Sequence, residues 1–264
     1  MDQSRAKVKV QAGNRLGSRR QKRGQHSGAD HWVYTTTNMG SDFSKNCCFH
    51  FPTMDERNLD TLRNYLRKYN PPVGCGHCIN ILLVGMVASG KSSTINTFLS
   101  ALDPQGTTIT CVPIGDNPGS VTPELHSFNP GSDVSNYPVI PENVIHGVAF
   151  IFDISTIGSI SDNQMEEFQE FQTIAAQKYV HRVVIGTKFE LLGIPEKHNA
   201  WIYEYKPLQQ KFDQLAKRTG MERRSMFVVS NQWRGEQIEM IKCILALYVL
   251  DNMVRNIDRF LKAV

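Results

Sequence analysis

Apolar residues along this chain fall into two spacings. Runs with almost no polar member occupy 79–84 (INILLV), 147–153 (GVAFIFD), 182–187 (RVVIGT) and 226–230 (MFVVS), the lengths of strands covered on both faces. Elsewhere the apolar positions return every third or fourth residue. Leu59, Leu62, Tyr65, Leu66 and Tyr69 do so, as do Ile95, Phe98 and Leu99, then Met165, Phe168, Phe171, Ile174 and Ala175, and then Leu208, Phe212, Leu215 and Ala216. The longest such stripe runs from about 236 to the C-terminus through Ile238, Ile241, Ile244, Leu245, Tyr248, Val249, Met253, Ile257 and Leu261. Strands alternating with helices predict an α/β fold in three layers, a mainly parallel sheet flanked by helices, with ligand at the carboxyl ends of the strands.

Local signals set the boundaries. Thr53-Met-Asp-Glu56 fits a capping box that starts the first helix, and Asn70-Pro71-Pro72 ends it. Ser161-Asp-Asn-Gln164 opens another helix, and Gly220 stops the one beginning near Leu208. Two more strands are predicted at 108–114 and 121–128, with a turn at 116–119 between them, and 129–146 carries three prolines and no period, as a loop does.

The junction after 79–84 carries the chemistry. Residues 85–92 read G-x-x-x-x-G-K-S between a predicted strand and a predicted helix, the pattern of a phosphate-binding loop. Gly85 and Gly90 let the backbone curl until successive N–H groups face inward, with a helix N-terminus behind them. The predicted phosphate contacts are Gly85, Ser89, Gly90, Lys91, Ser92 and Ser93; Lys91 reaches the β- and γ-phosphates, and the Ser92 hydroxyl ligates Mg²⁺.

Composition changes the picture at the N-terminus. The 264 residues are 41% apolar and 20% charged, enough for one ordinary core. The formal charge of +4 is uneven: residues 1–30 hold eight Lys/Arg against Asp2 and Asp30, leaving 21 Lys/Arg and 23 Asp/Glu, a net of −2, in the remainder. Residues 1–50 therefore read as a disordered basic tail, 51–72 as a leading helix and 76–264 as the globular domain. The run 19–23 (RRQKR) fits a solvated tail better than a nuclear-localisation or nucleic-acid patch. No window has the length and apolarity of a membrane span, and no signal peptide opens the chain, so a cytoplasmic protein with reduced thiols is expected. Cys75-Gly-His-Cys78 has the C-x-x-C spacing of redox sites, and with Cys47, Cys48, His50 or His77 that of zinc sites; a plain linker is the preferred reading.

Further candidates sit at strand ends. Asp153 closes the strand 147–153, either as the aspartate that holds Mg²⁺ through water or as the polar end of a core strand. Asp116-Asn-Pro-Gly119 matches D-x-x-G, the γ-phosphate sensor of GTPases, but is read as a turn, because it does not end a buried strand. Thr187-Lys-Phe-Glu190 follows its strand where GTPases place [NT]-K-x-D. The Lys188 stem would cover the base and Glu190, one methylene longer than Asp, would accept from the guanine edge once re-aimed. Ser230 and Asn231 would offer a backbone N–H to the guanine carbonyl. The order of parts favours GTP over ATP.

The chain from Phe51 onward resembles the interferon-induced protein 44 family, GTPase-like proteins of the vertebrate antiviral response. The resemblance rests on Tyr69-Asn-Pro-Pro72 ahead of Ile81-Leu-Leu-Val-Gly85, on Gly90-Lys-Ser-Ser93, on Gly147-Val-Ala-Phe-Ile-Phe-Asp153, and on Val228-Val-Ser-Asn231 leading into the last helix. It implies a P-loop G-like domain, guanine nucleotide with Mg²⁺ as ligand, and phosphate contacts at Gly85 and at Ser89 to Ser93. Met86 and Ala88 stand where the family usually has Pro and Gly. The family's further strand ending in Asp-x-x-Gly has no counterpart here, nor does the TLDc domain that many relatives carry. The switch region is thus reduced, and the resemblance implies GTP binding with weak or absent hydrolysis and no identified catalytic residue. Partners in this reading are the nucleotide and a protein or second copy met through the C-terminal helix, with no membrane, and nucleic acid only through the basic tail. Two other classes remain: a P-loop ATPase or kinase in which Asp153 holds Mg²⁺, and a degenerate G domain serving as an interaction module without nucleotide.

Overall fold

The computed structural model describes residues 8–13 (backbone only), 52–72, 79–110, 144–194, 201–231 and 238–263. Its elements, in chain order, are β1 (Val8–Gly13), α1 (Glu56–Lys68), β2 (Ile79–Gly85), α2 (Lys91–Leu102), β3 (Gly147–Asp153), α3 (Asp162–Gln177), β4 (His181–Thr187), α4 (Lys206–Thr219), β5 (Met226–Val228) and α5 (Met240–Ala263). The strands pair in the order β1-β2-β3-β4-β5, and every pair is parallel.

Period-two alternation sorts each strand between two cores. Ile79, Ile81 and Leu83 of β2, Ala149 and Ile151 of β3, Val183 and Ile185 of β4 and Phe227 of β5 face a core shared with α1, α2 and α5. Val148, Phe150 and Phe152, with Val184, Met226 and Val228, face the other core, which α3 and α4 cover. Phe150 meets Phe168 of α3 edge-on at 4.6 Å between ring centroids, and Phe152 meets the same ring at 5.2 Å. The predicted three-layer α/β arrangement around a parallel sheet is therefore present.

Boundaries differ where local chemistry decides. The N-cap of α1 is Asp55, not Thr53: the Asp55 carboxylate accepts from the Asn58 N–H at 2.8 Å, and the Thr53 carbonyl accepts from the Asn58 side chain at 2.6 Å. Ser161 opens α3 as predicted, and the structure adds a capping box with Gln164. Gly220 takes the left-handed conformation that ends α4. Over 108–110 the predicted strand is absent; the Ile109 N–H donates instead to Ser100 Oγ at 2.7 Å, turning the chain back onto α2. Residues 8–13, placed by composition in the basic tail, pair with β2 as the edge strand, because parallel pairing draws on backbone groups that composition does not report. The rest of 1–51, the Cys75–Cys78 motif, the turn 116–119 and the strand expected at 121–128 lie outside the described residues.

Candidate functional site

The loop after β2 wraps over the start of α2 with no room for side chains at its two glycines. A Cβ on Gly85 would lie 2.3 Å from the Ile151 carbonyl oxygen in β3 and 2.8 Å from Ser89 Oγ. Gly90, at φ +95, caps α2 in a left-handed conformation, and a Cβ there would sit 3.0 Å from the Asn231 side-chain nitrogen. Ala88 is left-handed as well, at φ 61. Left-handed residues flank Ser89, whose own N–H donates to the Met86 carbonyl at 3.2 Å; alternation of this kind is the backbone pattern of anion-binding concavities. The first turn of α2 adds amides with no carbonyl four residues back, and the positive end of the helix dipole.

Side chains complete the cradle. Lys91 is 6% exposed, and its ammonium donates to the carbonyls of Gly85 at 3.0 Å and Met86 at 2.8 Å, which ties the strand end to the helix start. Burial pulls its pKa down to about 8. Ser89 is 1% exposed and its hydroxyl has no hydrogen-bond partner among the described residues. A buried hydroxyl in that state costs stability until an acceptor or donor arrives. Ser92 and Ser93, in the first turn, are half-buried. The predicted phosphate contacts thus converge on one loop, and the tight loop, cationic side chain and unsatisfied hydroxyl fit a polyphosphate.

Residues from β3, β4 and the end of β5 meet this loop from the side. Thr187, fully buried, donates its hydroxyl to the Ser89 carbonyl at 2.6 Å. The Asn231 side chain donates to the Gly90 carbonyl at 3.3 Å and to Thr94 Oγ1 at 3.1 Å, and accepts from Thr97 Oγ1 at 2.9 Å. Ser230 is buried beside it. Of the residues expected around a base, Thr187 therefore spends its side chain on this loop, and so does Asn231, whose expected contact is through its backbone N–H. Thr94 and Thr97 were not singled out in the sequence; two fully buried threonines on one face of a short helix are the signal that marked them.

Asp153 serves its own neighbourhood. One carboxylate oxygen accepts from the Ser155 N–H at 3.0 Å and its hydroxyl at 2.5 Å, capping a 3-10 helix over Ile154–Ser159, and the other pairs with Lys188 Nζ at 2.9 Å. Burial pushes the carboxyl up, but the Ser155 and Lys188 bonds outweigh it and hold it below the usual range. A Mg²⁺-bound water at Asp153 has to share or displace the Lys188 bond; Ser92 lies on the loop itself. Lys188 is left-handed at φ 57, and Glu190 follows in a 3-10 turn over Phe189–Leu192. Glu190 Oε2 is buried without a partner among the described residues, and burial raises its carboxyl pKa against the pull of its own backbone N–H and of Lys242. That oxygen is screened from solvent, so contact with a base requires the side chain to turn.

Among the described residues no helix is long and apolar enough to cross a membrane. Compared with known proteins, the chain matches no family model and no curated protein.

Proposed function

We propose that this chain binds a guanine nucleoside triphosphate with Mg²⁺ on the 85–93 loop and turns it over slowly or not at all, in the manner of the interferon-induced protein 44 family and its antiviral setting. The observation that carries the reading is the Lys91 ammonium clamped on the Gly85 and Met86 carbonyls beside a buried, unsatisfied Ser89 hydroxyl. Such a group is held in place before any anion arrives, so little reorganisation is needed on binding. Mg²⁺, held by Ser92, would neutralise charge between the β- and γ-phosphates. Guanine is favoured by the Thr187-Lys-Phe-Glu190 segment at the end of β4, with Lys188 Nζ fixed on Asp153 so that its stem can lie along a base. Slow turnover follows from the reduced switch region, and from an Asp153 carboxylate already occupied by Ser155 and Lys188.

A titration of the full chain with fluorescent GTP and Mg²⁺, read beside GDP, ATP and Lys91→Ala, tests this. Binding by the parent that falls at least tenfold in Lys91→Ala, with GTP ahead of ATP, is the expected result. Equal signal from both proteins, or none from either, rejects it. ATP ahead of GTP leaves the loop assignment standing and removes guanine.

A further inference from the structure

Asn231 lies just beyond β5, 141 residues from Gly90 in sequence, yet its side-chain amide is bonded through both its nitrogen and its oxygen to the phosphate loop and α2. Its nitrogen donates to the Gly90 carbonyl and to Thr94 Oγ1, and its oxygen accepts from Thr97 Oγ1. The single Thr97 hydroxyl proton is shared between that oxygen and the Ser93 carbonyl at 2.8 Å, so one small network spans residues 90 to 97. Gly90 is the residue whose left-handed turn aims the loop amides, and its carbonyl accepts the first helical bond from the Thr94 N–H at 2.8 Å. A Cβ on Gly90 would sit 3.0 Å from the same Asn231 nitrogen. The amide therefore abuts the loop at the point where its conformation is set. Thr187 makes the neighbouring clamp on the Ser89 carbonyl.

We infer that Asn231 is a positioning residue for the phosphates rather than a side-chain reader of the base: its amide fixes the Gly90 turn and the first turns of α2 in the arrangement where the main-chain N–H groups converge. The inference rests on the nucleotide reading above and adds which residue from the far end of the sheet prepares that loop. Because the bonded atoms belong to the loop and helix, Asn231 acts on whatever sits in the cradle, with or without a base. Misplacing convergent donors by a fraction of an ångström weakens every phosphate contact at once.

The test compares the full chain with Asn231→Ala and Thr97→Val, by calorimetric titration with GTP, ATP and inorganic tripolyphosphate, each with Mg²⁺. Asn231→Ala is expected to weaken all three by a similar factor, on the order of tenfold, with the base-free tripolyphosphate losing as much as GTP. Thr97→Val removes the hydroxyl that meets both the Asn231 oxygen and the Ser93 carbonyl, at nearly constant volume, and leaves the amide's bond to Gly90; it should weaken all three by less, and add little on top of Asn231→Ala, since both act through one network. Rescue belongs to the shape of the amide: Asn231→Asp keeps the acceptor, loses the donor to Gly90, and should not restore affinity. A loss confined to GTP overturns the inference in favour of a base contact. A lowered thermal midpoint with unchanged affinities overturns it in favour of a purely structural role. If the unsubstituted chain binds none of the three, the nucleotide reading has failed and the inference falls with it; if it binds them and Asn231→Ala does so equally well, the inference alone has failed.

Discussion

Lys91 shows how one residue can be both poised and costly. Its ammonium is buried against two carbonyls, and desolvation lowers its pKa from 10.5 to about 8. Below about pH 8 both folded and unfolded chains carry the proton, so the burial penalty is present in full. Between about 8 and 10.5 the unfolded chain keeps the proton and the folded chain sheds it, so stability rises with pH across that window. A Lys91→Met variant should lack this rise, which paired denaturation curves at pH 7.5 and 9.5 would reveal. Triphosphate binding runs the other way, because the anion needs the charged form: affinity should fall as pH climbs past about 8, with proton uptake visible as buffer-dependent heat. Three residues earlier, Ala88 occupies a left-handed conformation at φ 61 where the resembling family usually has Gly. Relief of about 1–2 kcal/mol of strain, less roughly 0.4–1 kcal/mol for the freer unfolded chain, makes Ala88→Gly stabilising by about 0.5 kcal/mol. Chemical denaturation at pH 7 reads this directly, and an unchanged or lower midpoint contradicts it.

Among the elements, α1 is bound to α2 and α5 more firmly than a leading helix need be. Leu59, Leu62 and Leu66 fill the core shared with α2 and α5. Arg63 donates through Nε to the Ala101 carbonyl at 2.8 Å and through Nη1 to the Pro104 carbonyl at 3.5 Å, placing a cation at the negative end of α2. The helix whose N-terminus would hold phosphate thus has its C-terminus capped from α1. Arg63→Ala leaves those carbonyls without a charged donor and should cost about 1.5–3 kcal/mol; a loss below half a unit in thermal or urea unfolding would show that water replaces the arginine. The helical stripes were legible from their 3.6-residue period, since burial of one face imposes it. Helix α1 starts two residues later than the Thr53–Glu56 box predicts because Thr53 and Asp55 are both good caps, and it is the Asp55 carboxylate that takes up an N3 amide, that of Asn58. The predicted strand over 108–110 does not form: Ser100 at the end of α2 takes the Ile109 N–H, a side-chain capture nine residues away that the alternation of apolar and polar positions does not register.

For the whole molecule, strand order and helix face together set the hand of the connections. β2, β3 and β4 follow one another in one direction across the sheet, yet α2 packs on the face of α1 and α5 whereas α3 packs with α4 on the opposite face. Crossing opposite faces while moving the same way gives connections of opposite hand as traced through these helices, although about 98% of parallel crossovers share one hand. The sequence by itself determined the alternation of strands and helices, the parallel α/β architecture and the tight glycine-bracketed turn between β2 and α2, because each is a local pattern whose meaning follows from chain geometry: burial on two faces, one turn in 3.6 residues, two glycines where no Cβ fits. Only the tertiary structure decided that Val8–Gly13 joins the sheet, that Asp153 is held by Lys188, and that Asn231 and Thr187 brace the loop instead of turning their side chains to a base. Those are contacts between residues tens to more than a hundred positions apart, fixed by which donors and acceptors the folded sheet happens to bring within 3 Å or so.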